Sequence, residues 1–321
     1  MQCRQLGNTE LYFTTIGLGT WAIGGGDWKF GWGPQDPNEA IDGLLAGLDL
    51  GINWIDTAPV YGDGASERLV GQVLQQVTRE NVLIATKCSR KVLSDGSVHG
   101  ILDAESVKSE CEQSLKRLGV DVIDLYQMHW PEPDPQIEEG WGAMIDLKKE
   151  GKVREIGVSN FDVSQMERLA KMHPLASLQP PYNMFQREAE DALFSYCAAR
   201  HMGIVCYSPL AKGLLSGAMT RARAAAFESS DHRSRDPRFA SPQLDENLQI
   251  VDQLQSLAKN CSRSVGELAI AWTLHRTEVT AAIVGVRNRA QIQGTHAAAD
   301  WQLTNEEISQ IEQILSTTSQ I

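Results

Sequence analysis

Short apolar, β-branched runs recur along the chain, each followed by a loop and then by a stretch whose apolar residues return at helical spacing. The runs fall at 16–19 (IGLG), 52–56 (INWID), 82–87 (VLIATK), 122–127 (VIDLYQ), 153–158 (VREIGV), 176–179 (ASLQ), 204–208 (IVCYS) and 281–285 (AAIVG). Strands that alternate with helices pair in parallel, because each connection must cross back over the sheet. Eight such units predict a single α/β domain over 1–321, a closed (β/α)8 TIM barrel rather than an open doubly wound sheet. Ahead of them, residues 2–15 divide into two short runs around Gly7-Asn8, which predicts a small N-terminal β-hairpin.

Between the strands, 104–118 carries Val107, Cys111, Leu115 and Leu118 on one helical stripe, with Asp103 placed to cap its start and Gly119 to leave it. Ser164 with Glu167, and Thr304 with Glu307, have capping-box spacing before further helices. Two stretches break the rhythm. Residues 22–38 are rich in Gly and Pro and carry Trp28, Phe30 and Trp32, while 209–244 has little apolar periodicity. Connections of that length are lids, binding loops or disordered segments, and both are assigned to the C-terminal face of the barrel.

The polar residues that interrupt this pattern stand at strand ends. DTAPVYGDG (56–64) puts Asp56 and Tyr61 just after INWI; Lys87 follows VLIAT; His129 follows VIDLYQM. Asp56 alone reads as a turn former, Tyr61 as a packed aromatic, His129 as a structural imidazole. Lys87 resists that reading, because an ammonium among a strand's apolar neighbours needs a partner, and Asp56 is one strand away. A salt-bridged lysine beside the phenol would bring the tyrosine pKa down from its ordinary ~10 and make Tyr61 a general acid. His129 can then orient a carbonyl oxygen by hydrogen bonding. GLGTWA (17–22) matches a dinucleotide fingerprint, but it runs into Gly24-Gly25-Gly26 where that fingerprint needs a helix.

Composition removes alternatives. A net charge of −12 argues against nucleic acid, whose binding rests on phosphate neutralisation by Lys and Arg. The six cysteines (Cys3, Cys88, Cys111, Cys197, Cys206, Cys261) lack CxxC spacing, so no metal site or disulfide framework is expected. Without a signal-like start or a membrane-length apolar run, no membrane partner is expected and the default location is cytoplasmic.

DTAPVYG (56–62), the strand-end Lys87, DLYQMHWP (124–131), GKVREIGVSNF (151–161), QPPYN (179–183) and YSPLAKGLLSG (207–217) together resemble the aldo-keto reductase family nearly end to end. The similarity is strongest to its bacterial YhdN-like branch, which shares the GT-W-IGG start and HWP. The resemblance implies a barrel that binds NADP(H) across its mouth without a Rossmann fold, with Asp56, Tyr61, Lys87 and His129 as the catalytic tetrad. It carries over Gly19, Thr20 and Trp21 after the first strand. Ser159, Asn160 and Gln179 match the holders of the nicotinamide carboxamide, and Tyr207 the ring that stacks on it. Ser208, Pro209, Leu210, Lys212, Gly213 and Leu215 match the pyrophosphate region and Gln291 an adenine contact, Gly285 is a further cofactor-binding position, and Arg287 is the candidate for the adenosine 2′-phosphate, because a guanidinium grips phosphate through two parallel hydrogen bonds. Thr295 stands where the family commonly has Asn, which puts that contact in question and leaves Arg289 or Lys212 to share the phosphate.

Trp21, Trp28, Phe30, Trp32 and Trp130, with Tyr61 and His129, are the expected substrate wall, apolar enough for small to medium carbonyl compounds including aromatic aldehydes. The expected activity is NADPH-dependent reduction of aldehydes and ketones. A dehydrogenase of sugars or polyols, or a slow-turnover redox-sensing module that holds the cofactor, stays open. The sequence carries no signal for oligomeric state.

Overall fold

The computed structural model describes residues 1–26 and 28–317, so Asp27, inside the 22–38 stretch, lies outside the described residues. The chain begins with β1 (Cys3–Gln5) and β2 (Tyr12–Thr14), an antiparallel pair whose connection turns at Gly7 with φ +55°. Strands β3 (Ile16–Gly19), β4 (Trp54–Asp56) and β5 (Leu83–Cys88) follow. A second small hairpin, β6 (Arg90–Val92) and β7 (Val98–Gly100), comes next. Then come β8 (Ile123–Met128), β9 (Val153–Ser159), β10 (Ser177–Gln179), β11 (Gly203–Tyr207) and β12 (Val279–Gly285). β3, β4, β5, β8, β9, β10, β11 and β12 pair in parallel, and β12 closes on β3. This is the (β/α)8 barrel that the alternation predicts. Each expected run coincides with a strand to within two residues.

The principal helices are α1 (Pro37–Asp49), α2 (Ala65–Leu74), α3 (Ala104–Leu118), α4 (Ile137–Lys149), α5 (Val163–Ala170) and α6 (Leu193–Ala199). They continue with α7 (Arg221–Ala225), α8 (Gln243–Asn260), α9 (Val265–Leu274), α10 (Arg289–Gln293) and α11 (Asn305–Thr317). Asp103 caps α3 by accepting from the Ser106 amide at 2.8 Å, and Gly119 leaves it at φ +68°. Thr304 and Glu307 exchange the capping bonds at the start of α11. The Ser164 expectation fails: Asp162 is the cap of α5, and its box partner is Gln165, because a carboxylate two residues earlier takes the free amide.

Glycines set the closeness of the layers. A Cβ on Gly17 would overlap the Trp54 indole inside the barrel, and one on Gly43 of α1 would lie 2.8 Å from the Asn288 carbonyl carbon. Inside the lower barrel, Phe13 stacks on Trp54 at 4.6 Å, with Leu6, Leu11, Ala85, Leu125, Val205 and Ala281 around them. The first hairpin therefore plugs the bottom and leaves the opposite end for chemistry. Among the described residues, no helix is long and apolar enough to cross a membrane.

The 209–244 connection is more ordered than its lack of periodicity suggests. It holds short turns fastened by charge: Arg233 forks onto Asp231, and Lys212 and Arg238 both reach Asp236. It docks on the aromatic stretch through His232, whose backbone N–H and Nδ1 both meet the Gly31 carbonyl, and through a bridge between Asp231 and Trp32.

Candidate active site

Residues two apart on a strand share a face, so Trp54 and Asp56, Ala85 and Lys87, and Leu125 and Gln127 climb the same inner wall. At the upper level the side chains turn polar. Lys87 Nζ donates to Asp56 Oδ1 at 2.7 Å and to the Thr57 carbonyl at 2.9 Å, and the lysine side chain is fully buried. Gln179 Nε2 donates to the other carboxylate oxygen of Asp56 at 2.9 Å and approaches Gln127 Oε1 at 3.4 Å. Burial pulls the Lys87 pKa down, while Asp56 and, behind the strand, Glu67 act against that shift.

Tyr61 comes from the tight turn after β4. Gly62 and Gly64, at φ +64° and +79°, bend it back, and a Cβ on Gly62 would overlap the Gly24 carbonyl of the neighbouring loop. The phenol ring is buried, with Lys87 Nζ 5.3 Å from its centre on one side and the His129 ring 5.7 Å away at 79° on another. Burial pushes the phenol pKa well above its ordinary value, and Asp56 and Tyr207 push the same way. The expected lowering of the Tyr61 pKa is thus overturned. The ammonium is engaged by Asp56 and lies toward the ring, so it does not offset burial.

His129 is fixed by its backbone, which donates to the Cys88 carbonyl at 3.1 Å and accepts from Asn160 Nδ2 at 2.9 Å. Burial, then the charges of Lys87 and Arg90, hold its pKa well below the usual imidazole range, and Nδ1 has no partner among the described residues. The imidazole is therefore neutral at ordinary pH.

Beside it, Ser159 Oγ donates to the Gln179 carbonyl at 2.8 Å, Asn160 Nδ2 to Ser159 Oγ at 3.0 Å, and the Tyr207 hydroxyl to Asn160 Oδ1 at 2.9 Å. Asn160 sits at φ +62°, which turns its amide into this cluster. Thr20 ties the first strand to the second by donating through N and Oγ1 to the Asp56 carbonyl, and Gly19 leaves room for Ile283. After Tyr207, Ser208, Ala211, Lys212 and Gly213 all have positive φ, so backbone 208–213 coils tightly past Pro209 and Leu210 toward the buried Leu215.

A sequence model of the Aldo/keto reductase family matches residues 15–316. The chain belongs to the aldo/keto reductase family. It is 39% identical over 320 residues to the aldo-keto reductase YhdN of Bacillus subtilis (strain 168), covering 99% of this chain and 95% of that one. It is 34% identical to the NADH-specific methylglyoxal reductase of Escherichia coli (strain K12), with 94% of each chain covered. Among solved structures, the glycerol dehydrogenase AKR11B4 from Gluconobacter oxydans matches with a TM-score of 0.89 and 35% identity, over 98% of this chain and 95% of that one. The holo form of AKR11C1 from Bacillus halodurans matches with a TM-score of 0.81 and 26% identity, over 98% and 96%. The chain is thus an oxidoreductase of a family that uses a nicotinamide cofactor.

Of the aromatic residues expected in the substrate wall, Trp21 and Trp28 come to Tyr61, at ring distances of 6.4 and 6.1 Å. Trp32 stands behind Trp21, edge-on at 5.4 Å, and faces His232 and the Arg233 guanidinium, Phe30 packs against Trp28, and Trp130 lies under Arg90. Arg287 and Gln291 stand together after β12, the Gln291 side chain accepting from the Arg287 amide at 2.9 Å, with exposed Gly285 at the strand end and the Thr295 hydroxyl on the Gln291 carbonyl.

Several groups at the mouth escape the motif reading. Val92 and Val98 of the second hairpin pack in the Ala58, Val60 and Tyr61 cluster, and the Asp95-Gly96 pair at its turn was an available hairpin signal. Gln127 is a polar residue inside an apolar run, detectable by the same logic that singles out Lys87. His232 stacks on Trp21 at 5.0 Å, with burial lowering its pKa to about 4, and nothing in its polar surroundings in the sequence marks it.

Proposed function

We propose that the protein is an NADP(H)-dependent reductase of small to medium aldehydes and ketones, aromatic aldehydes included, and that Asp56, Tyr61, Lys87 and His129 carry its chemistry. The observation that supports this most is the buried Lys87–Asp56 pair against one side of a buried Tyr61, with a neutral His129 on another side. The donor set suits a nicotinamide: the Ser159 hydroxyl and the Asn160 amide lie within hydrogen-bonding reach of each other and the hydroxyl reaches the Gln179 carbonyl, matching a carboxamide that both donates and accepts, and Tyr207 gives a ring beside them. Gly19, Thr20 and Trp21 border the same mouth, Ser208 to Leu215 would pass the pyrophosphate, and the β12 exit, between Gly285 and Gln291, would take the adenosine end.

The reduced nicotinamide, when bound, supplies a hydride to the carbonyl carbon. Tyr61, kept protonated by burial, donates its proton to the carbonyl oxygen, so that the carbonyl becomes an alcohol. His129, as a neutral donor, holds the same oxygen toward Tyr61. The negative charge left on Tyr61 falls beside the Lys87 ammonium, which Asp56 and Gln179 keep in place. Trp21 and Trp28 shape the apolar side of the pocket.

The test is a steady-state screen of aldehydes, ketones, sugars and polyols with both cofactors. Faster aldehyde reduction with NADPH than polyol oxidation with NADP is the expected outcome. The likeness to a glycerol dehydrogenase favours one second reading, in which the physiological direction is polyol oxidation, and a reversed rate ratio would establish it. Tight cofactor binding with no turnover across the panel would point to a redox-sensing module instead.

A further inference from the structure

Two arginines stand where the chain leaves β12, and they are held in different ways. Arg287 is half-buried, and its guanidinium is committed to the aromatic stretch: Nε donates to Gln35 Oε1 at 2.7 Å, Nη1 to the Trp32 carbonyl at 3.2 Å and Nη2 to the Pro34 carbonyl at 2.5 Å. Gln35 returns the bond, its Nε2 donating to the Arg287 carbonyl at 3.0 Å. To grip a phosphate, Arg287 would have to abandon two part-buried acceptors, Gln35 Oε1 and the Trp32 carbonyl, and the exposed Pro34 carbonyl. Arg289 is exposed, and its fork meets a single carboxylate, Asp42, at 2.9 and 2.6 Å. The close approach of α1 at Gly43 to Asn288 keeps that carboxylate on the fork.

An exposed pair of this kind contributes a factor of about five or less, so a phosphate monoester can take the carboxylate's place at the same two N–H groups. Of the cations of the long connection, Arg233 is held by Asp231, and Lys212 and Arg238 by Asp236, while Arg223 and Arg235 donate to the backbone carbonyls of Ala218 and Lys29. We propose that Arg289 binds the 2′-phosphate of NADPH, that Asp42 is a built-in competitor which tempers the preference for NADPH over NADH, and that Arg287 is a positioning residue for the aromatic stretch. This rests on the reading of the protein as a nicotinamide-dependent reductase with the adenosine end at the β12 exit.

The experiment is a set of dissociation constants for NADPH and NADH, by fluorescence titration at one fixed salt concentration, on the parent, Asp42→Asn, Arg289→Ala, the double variant and Arg287→Ala. Asp42→Asn should tighten NADPH about three- to fivefold, the factor of an exposed pair, and move NADH little. Arg289→Ala should weaken NADPH about tenfold, as loss of a charge-assisted fork does, and should abolish the effect of Asp42→Asn in the double variant. Arg287→Ala, with Arg287→Lys as the milder change, should shift tryptophan emission of the cofactor-free protein and weaken both cofactors alike. An unchanged NADPH to NADH ratio in Asp42→Asn, or a selective loss of NADPH in Arg287→Ala, overturns the proposal. A parent that binds neither cofactor overturns the functional reading instead.

Discussion

Two levels of one barrel, separated by a single step along each strand, are built for opposite purposes. At the lower level Trp54, Ala85 and Leu125 meet the hairpin's Phe13 and Leu11 in an apolar layer with no charge in it. One step up, Asp56, Lys87 and Gln127 occupy the corresponding positions, joined by Gln179. The lower layer can hold by hydrophobic burial and close packing alone. The upper layer carries a buried ion pair whose desolvation offsets much of its attraction, so its presence is better explained by chemistry than by stability. The comparison teaches that the same scaffold position is structural or functional according to its height in the barrel.

The largest expected break in this comparison is Lys87→Met. It should cut reduction by about 10³-fold, as loss of a group that stabilises charge developing in the reaction does, and it should also destabilise the fold by about 3–5 kcal/mol because Asp56 is left buried and unpaired. Adding Asp56→Asn should restore most of the stability and none of the turnover; recovery of turnover in the double variant would contradict the role given to the pair. At the lower level, Trp54→Ala should cost about 3–5 kcal/mol of stability through the cavity it opens beneath Phe13. Turnover per folded molecule should stay close to the parent's, as urea denaturation followed by assay at low temperature would establish.

A smaller effect sharpens the contrast on the outer wall. Glu110 of α3 is buried behind β5, and burial pushes its pKa from 4.5 up to about 7, against the pull of Lys91 and the Ser106 hydroxyl. A carboxyl whose folded pKa is raised binds its proton more tightly when folded. Its cost is therefore absent below the ordinary value, grows as pH rises through that window and is complete above about 7. Glu110→Gln should raise stability at pH 8 by about 3 kcal/mol relative to the parent and change little at pH 4.5. Equal urea midpoints for the two proteins at pH 8 would remove the claim.

Much of the upper layer was readable from the sequence, because a charged residue at the end of an apolar strand has few bland explanations. Asp56, Lys87 and His129 stood out for that reason, and the structure gathers them around Tyr61. The strand count succeeded because both faces of a barrel strand are buried and leave continuous apolar runs. What periodicity could not reveal was the organisation of 209–244, since its fastenings are charge pairs such as Asp231 with Arg233, which leave no apolar rhythm. The sign of the Tyr61 shift was also out of reach: it depends on how fully the ring is enclosed and on the ammonium lying toward the ring, and neither is a property of spacing.

The central claim is that Tyr61 delivers the proton. Tyr61→Phe, which removes one hydroxyl from a buried ring, tests it most directly when aldehyde reduction and the NADPH dissociation constant are measured on the same preparation. The account predicts turnover reduced by about 10³-fold or more with cofactor affinity unchanged. Turnover near the parent's, with the cofactor still bound, would show that the proton comes from elsewhere.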